Sequence, residues 1–137
     1  MPIAWGLGLA IAVAVLARLV GLDRERAFYP IAMIVIASYY DLFAVIGGGG
    51  SSLIQESVAF AIFAGAAIIG FRTNLWIVAA ALAAHGVFDF FHHQIIANGG
   101  VPTWWPAFCL SYDVTAAACL ATLLRLSPPS RQARERS

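Results

Sequence analysis

Residues 75–97 read LWIVAAALAAHGVFDFFHHQIIA. The run is long and apolar enough for a helix that crosses a bilayer, which takes about 20 residues. Yet it carries all three histidines of the chain and an aspartate. On a helix, His85, Asp89 and His92 fall at i, i+4 and i+7, within one narrow face. His93 flanks that face and Gln94 points away from it. An aspartate at the centre of a membrane helix costs about 2.5–3.5 kcal/mol on the insertion scale. Such a residue is expected to face the bundle interior and to find a partner there.

Outward from this run, four more apolar segments have helical length: 3–20, 30–46, 53–70 and 104–126. Of the 137 residues, 61% are hydrophobic and 11% charged, against about 25% charged in an ordinary soluble domain. The expected fold is therefore an all-α integral membrane protein, a compact bundle of five transmembrane helices within residues 1–126. The remainder, 127–137, is polar and expected to be a disordered tail. Pro30 suits a first helical turn. Ser52 with Gln55 resembles a capping box for the third span. Thr103 is placed to cap the fifth, with Trp104 and Trp105 as interfacial anchors beside Trp5 and Trp76. The first span has no positive stretch before it and is too long for a signal-peptide core, so it is read as a retained helix.

Charge sets the orientation. All eight basic residues are arginine. Within or beside the connections, Arg18, Arg24 and Arg26 follow the first span and Arg72 follows the third. Arg125, Arg131, Arg134 and Arg136 close the chain. The opposite side, with the loops GGGGSS at 47–52 and NGGVPT at 98–103, has none. Positive residues stay cytoplasmic. The N-terminus and both glycine-rich loops are thus expected outside and the C-terminus in the cytoplasm. Abundant Ala, Gly and Arg without lysine suggest a GC-rich genome, and the expected location is a bacterial inner membrane. GGGGSS resembles an artificial linker but reads as a native tight loop. The net charge of +1, with no basic patch beyond the membrane flanks, argues against nucleic acid as a partner.

Small residues recur at four-residue spacing: Gly6, Ala10 and Ala14 in the first span, Ala61 and Gly65 in the third. They also crowd the fourth and fifth spans. They allow close helix packing or a homo-oligomer face. Cys109 and Cys119 lie ten residues apart on one helix, about 15 Å by helical rise, too far for a disulfide. No internal repeat suggests an inverted-repeat transporter.

The polar residues share a depth. Measured from residue 97, His85 lies roughly 18 Å and Asp89 about 12 Å down; from Trp104, Asp113 lies about 13 Å down. Cys109 is one turn above Asp113. Asp41, preceded by Tyr39 and Tyr40, lies about 8 Å from its helix end. Glu56 falls in the first turn of the third span, close to the outer surface of the membrane, and suits a structural role at a helix N-terminus. All are in the outer half.

Two imidazoles and carboxylates suit a transition metal such as zinc or iron. The candidate ligands are His85, Asp89 and His92, with Asp113 supplied by the facing fifth helix. His85, Asp89 and Asp113 are the candidate catalytic set, through metal-activated water or acid–base work on a lipid-like or other apolar substrate. Asp41, Tyr40, Cys109 and His93 are expected polar partners, Asp41 through a tyrosine. Two other classes fit the same residues. In one, the polar groups only clamp the helices of a structural subunit. In the other, an oligomer uses them for proton-coupled or ion transport.

Overall fold

A computed structural model describes residues 1–127. The expected tail 128–137 lies outside the described residues. The described chain is helical: α1 Pro2–Val20, α2 Phe28–Ile46, α3 Ser51–Arg72, α4 Leu75–Ile95 and α5 Trp105–Leu126, with a short 3-10 turn at Leu22–Arg24. All five helices are long and apolar enough to cross a membrane. Their outward surface is dense in Ile, Val, Leu, Phe and Trp. A surface of that kind fits lipid as its solvent and a multi-pass membrane protein.

Short connections make successive helices antiparallel. α4 is the centre of the bundle. It packs on α5 and α3 and touches α2, while α1 lies on the far side of α5 and α2 packs along α3. Small residues set these distances. Gly6 of α1 lies so close to α5 that an added Cβ would overlap Ser111 Oγ and the Phe108 carbonyl. The Gly6/Ala10 face expected from the sequence is therefore occupied within the chain. In α3 the buried small residues are Ala64, Ala67 and Gly70, while Ala61 is exposed. Gly86 of α4 faces α5, where its Cβ would stand 3.2 Å from Asp113 Cβ and from the Leu110 carbonyl oxygen.

The ends differ in detail from the sequence expectation. Ser52 forms no capping box: α3 starts at Ser51, and the Ser52 hydroxyl donates back to the Gly49 carbonyl at 2.9 Å. Gly48, Gly49 and Gly50 all have positive φ, so this turn is built by glycine freedom rather than by a side-chain cap. Thr103 does not cap α5, whose N-cap is Trp104 without a side-chain bond. Trp105 is not a simple interface anchor, for its ring packs among Tyr39, Phe43 and Phe108. α4 stops at Ile95, and Ile96 is extended. The chain turns there because Asn98 is drawn inward, as described below. Elsewhere, Asn74 caps α4 by accepting from the Trp76 amide. Arg26 donates to the Phe71 and Gly70 carbonyls at the end of α3, which ties the first connection to that helix.

A candidate metal or acid–base site between α4 and α5

His85 stands at the middle of α4 and is buried, as are Asp89 one turn further on and Asp113 of α5. The His85 ring nitrogen Nδ1 lies 2.6 Å from Asp113 Oδ2 and 3.3 Å from Asp89 Oδ2. One donor atom from each of the three residues falls within 4.8 Å of the others. The approach of α5 depends on Gly86, one residue after His85, because a larger side chain there would meet Asp113 directly. Cys109 is buried one turn before Asp113, within electrostatic reach of both carboxylates.

The hydrogen bonding is incomplete. Asp89 Oδ1 and Asp113 Oδ1 are buried without a close hydrogen-bond partner, as are Glu56 Oε2 and His92 Nδ1 nearby, while Asp89 Oδ2 has only the 3.3 Å contact with His85 Nδ1. Buried polar groups are normally paired, and an unmet carboxylate in an apolar interior is expensive. With a neutral imidazole, two ionised carboxylates carry a charge of −2, which a divalent cation would cancel. The donor set and its unmet oxygens therefore fit a metal ion.

His92 leaves this set, contrary to the sequence expectation. It shares the face of His85, but seven residues along a helix is about 10.5 Å of rise, so its ring reaches another layer. There Nε2 meets Glu56 Oε1 of α3 at 2.7 Å. Glu56 Oε1 also accepts from Asn98 Nδ2 at 2.8 Å, and Asn98 donates to the Tyr40 carbonyl at 3.2 Å. Asn98 Oδ1 accepts from the Gly100 amide. Glu56 is only 1% exposed, and its partners are His92 and Asn98 rather than the N-terminal amides of its own helix. Its position in the first turn of an apolar helix gave the wrong signal, because burial came from the loop folding over that turn. Asn98 was missed entirely: in NGGVPT it reads as a turn residue.

Tyr40 stands between the two layers. Its ring stacks on His92 at 4.1 Å and lies 6.3 Å from that of His85. Phe63 of α3 closes the other side of His85 at 4.7 Å, edge to face. Asp41 is outside both layers and pairs with a serine, not a tyrosine. Ser57 donates to it at 2.7 Å across the α2–α3 seam. α2 presents Tyr40 inward, and the next residue is turned away by one helical step. His93 is exposed and touches only the rim of His92.

A groove of about 630 Å³ opens between α2 and α5, bounded by Leu9 of α1, with Cys109 and Asp113 among its lining residues. Its walls are nearly all apolar, and it faces outward where the helices meet lipid. The polar or charged residues buried as a whole among the described residues (Glu56, His85, Asp89, His92, Asn98 and Asp113) lie in the middle or in the half of the bundle that carries the glycine-rich loops, while at the other end the Asp23 side chain is buried against Arg18. No family model, curated protein or solved structure matches the chain.

Proposed function

We propose that the protein is a multi-pass protein of a bacterial inner membrane, N-terminus outside and C-terminus in the cytoplasm. We propose further that it binds a transition metal such as zinc or iron at His85, Asp89 and Asp113 and acts on an apolar, lipid-like substrate. The observation that carries the reading is the convergence of one imidazole and two carboxylates within 4.8 Å, with one oxygen of each carboxylate, Asp89 Oδ1 and Asp113 Oδ1, buried without a close partner. Three protein ligands leave a coordination position free for chemistry. A bound ion would supply Lewis acidity or an activated water. His85 and the two aspartates hold it. Gly86 admits Asp113, and the α2–α5 groove admits substrate from the bilayer. Coordination through His85 Nδ1 would require that nitrogen, which now faces Asp113 Oδ2, to carry no proton. The arginine distribution supports the orientation.

The 2.6 Å contact of His85 with Asp113 favours a second reading, in which the same three residues move a proton in acid–base catalysis without metal. Elemental analysis separates the two. Protein purified untagged in mild detergent, without chelator, is compared with a His85→Ala/Asp89→Ala variant of the same oligomeric size. About one equivalent of transition metal per chain, lost in the variant, is the expected result. No metal in either, after zinc and ferrous iron are offered back, overturns the metal reading and leaves the acid–base one.

A further inference from the structure

The Tyr40 ring is 2% exposed. It stacks on His92 at 4.1 Å and meets Phe43 and Phe88 edge to face at 6.4 and 6.5 Å. A phenylalanine would make the same ring contacts without burying a hydroxyl. Burying a hydroxyl without a partner costs free energy, and buried polar groups are normally paired. The Tyr40 hydroxyl is buried and makes no close hydrogen bond. It lies within hydrogen-bonding reach of Asp89 and within electrostatic reach of Cys109 and Asp113. It therefore approaches the group of His85, Asp89 and Asp113 from α2, while those three residues come from α4 and α5. The residue is held from behind. Asn98 donates to the Tyr40 carbonyl at 3.2 Å, and His92, on which the ring stacks, meets Glu56 Oε1 at 2.7 Å. Backbone and ring are thus both anchored in the outer polar layer.

We infer that Tyr40 is a positioning residue for Asp89: its hydroxyl donates to one carboxylate oxygen and so fixes the other toward the ion. The inference rests on the proposed metal site and adds to it a residue outside the ligand set. An ionised carboxylate only accepts, and it has two oxygens to do so. Asp89 Oδ2 faces His85 Nδ1 at 3.3 Å, while Oδ1 has no close partner, so one oxygen is left for an outer donor. Metal-ligating carboxylates are commonly oriented by such a bond, and its loss costs about 10–100-fold in metal affinity. As a direct ligand, a phenolate would add a third negative charge to a buried group whose two carboxylates already balance a divalent ion. The neutral hydroxyl is the form that fits. The outer layer gains a role by the same route, because Glu56, His92 and Asn98 hold the residue that aims this hydroxyl.

The test measures the zinc affinity of the full chain in mild detergent, by competition with a chromophoric chelator, beside the melting temperature of the metal-free protein. Tyr40→Phe keeps the ring and removes only the hydroxyl. It is expected to keep the zinc stoichiometry of the wild type and to bind about 10–100-fold more weakly. Without metal it is expected to melt at the same or a higher temperature, because the lost hydroxyl had no close partner. Phe43→Leu alters the packing around the Tyr40 ring and leaves the hydroxyl in place, so its zinc affinity is expected to match the wild type. An equal loss of affinity in Phe43→Leu overturns the inference, for the effect would then be one of packing. A metal-free melting temperature that falls in Tyr40→Phe also overturns it, for the hydroxyl would then be holding the fold. Zinc bound equally tightly by the wild type and Tyr40→Phe defeats the inference alone. No zinc in the wild type defeats the proposed metal site and the inference with it.

Discussion

At the scale of single residues, Asp89 is the most informative. It sits at full burial, its Oδ2 faces His85 Nδ1 at 3.3 Å, and its Oδ1 makes no close hydrogen bond. A residue kept only for stability would not be left so. Asp89→Asn is therefore expected to lose metal while the metal-free protein unfolds at the same or a higher temperature in detergent, read by scanning fluorimetry. A clear loss of stability without metal would mark Asp89 as a clamp instead. Glu56 differs in having firm protein partners on one oxygen, although its Oε2 and His92 Nδ1 are also buried without a partner. One of its oxygens faces both His92 Nε2 and Asn98 Nδ2, so Glu56→Ala strands His92 Nε2 and leaves Asn98 Nδ2 only its bond to the Tyr40 carbonyl. The expected cost is about 1–3 kcal/mol, the usual penalty for stranding a buried partner. Metal content is expected to survive, because the Glu56 layer is separate from His85, Asp89 and Asp113. The Glu56→Gln variant keeps an oxygen acceptor and should recover part of the loss.

At the scale of helices, small residues decide which faces can meet. Gly86 controls the α4–α5 approach at the level of Asp113. Gly86→Leu is expected to push α5 outward, separate Asp113 from His85 and abolish metal uptake in a protein that remains membrane-inserted. Retention of a full equivalent of metal would show that Asp113 is not a ligand. Gly6 does the same for α1 and α5 without touching the site. Gly6→Leu is expected to destabilise the bundle by about 1–3 kcal/mol, the cost of forcing bulk into a packed core. If the fold survives, its metal content should be unchanged. The loops are joined by glycine as well. A Cβ on Gly100 would overlap the Phe43 carbonyl, so the loop that carries Asn98 lies directly on the end of α2.

At the scale of the whole molecule, the proposed orientation gives a direct experiment. The native cysteines sit within α5, Cys109 buried and Cys119 partly so. With both replaced by alanine, Ser51→Cys is expected to react with a membrane-impermeant thiol reagent added to intact cells. Arg72→Cys, at the other end of α3, should react only after lysis. The reverse pattern would invert the bundle, and would place the opening of the buried His/Asp layers toward the cytoplasm.

The five helices were legible in the sequence because hydropathy over about 20 residues responds to lipid and needs no partner. The His85/Asp89 pair was legible for a similar reason, since i, i+4 neighbours meet on any helix. Asp113 came within reach by depth alone, because a six-residue connection fixes two helices side by side. Rotation about each axis does not follow from depth. Tertiary packing decided that His92 belongs to Glu56, that Asp41 faces Ser57, and that Asn98 folds inward to end α4. Each of those outcomes depends on how closely two backbones approach and which side chain fills the layer between them. Composition fixes the solvent a helix needs, but only the assembled bundle fixes which polar groups share its interior.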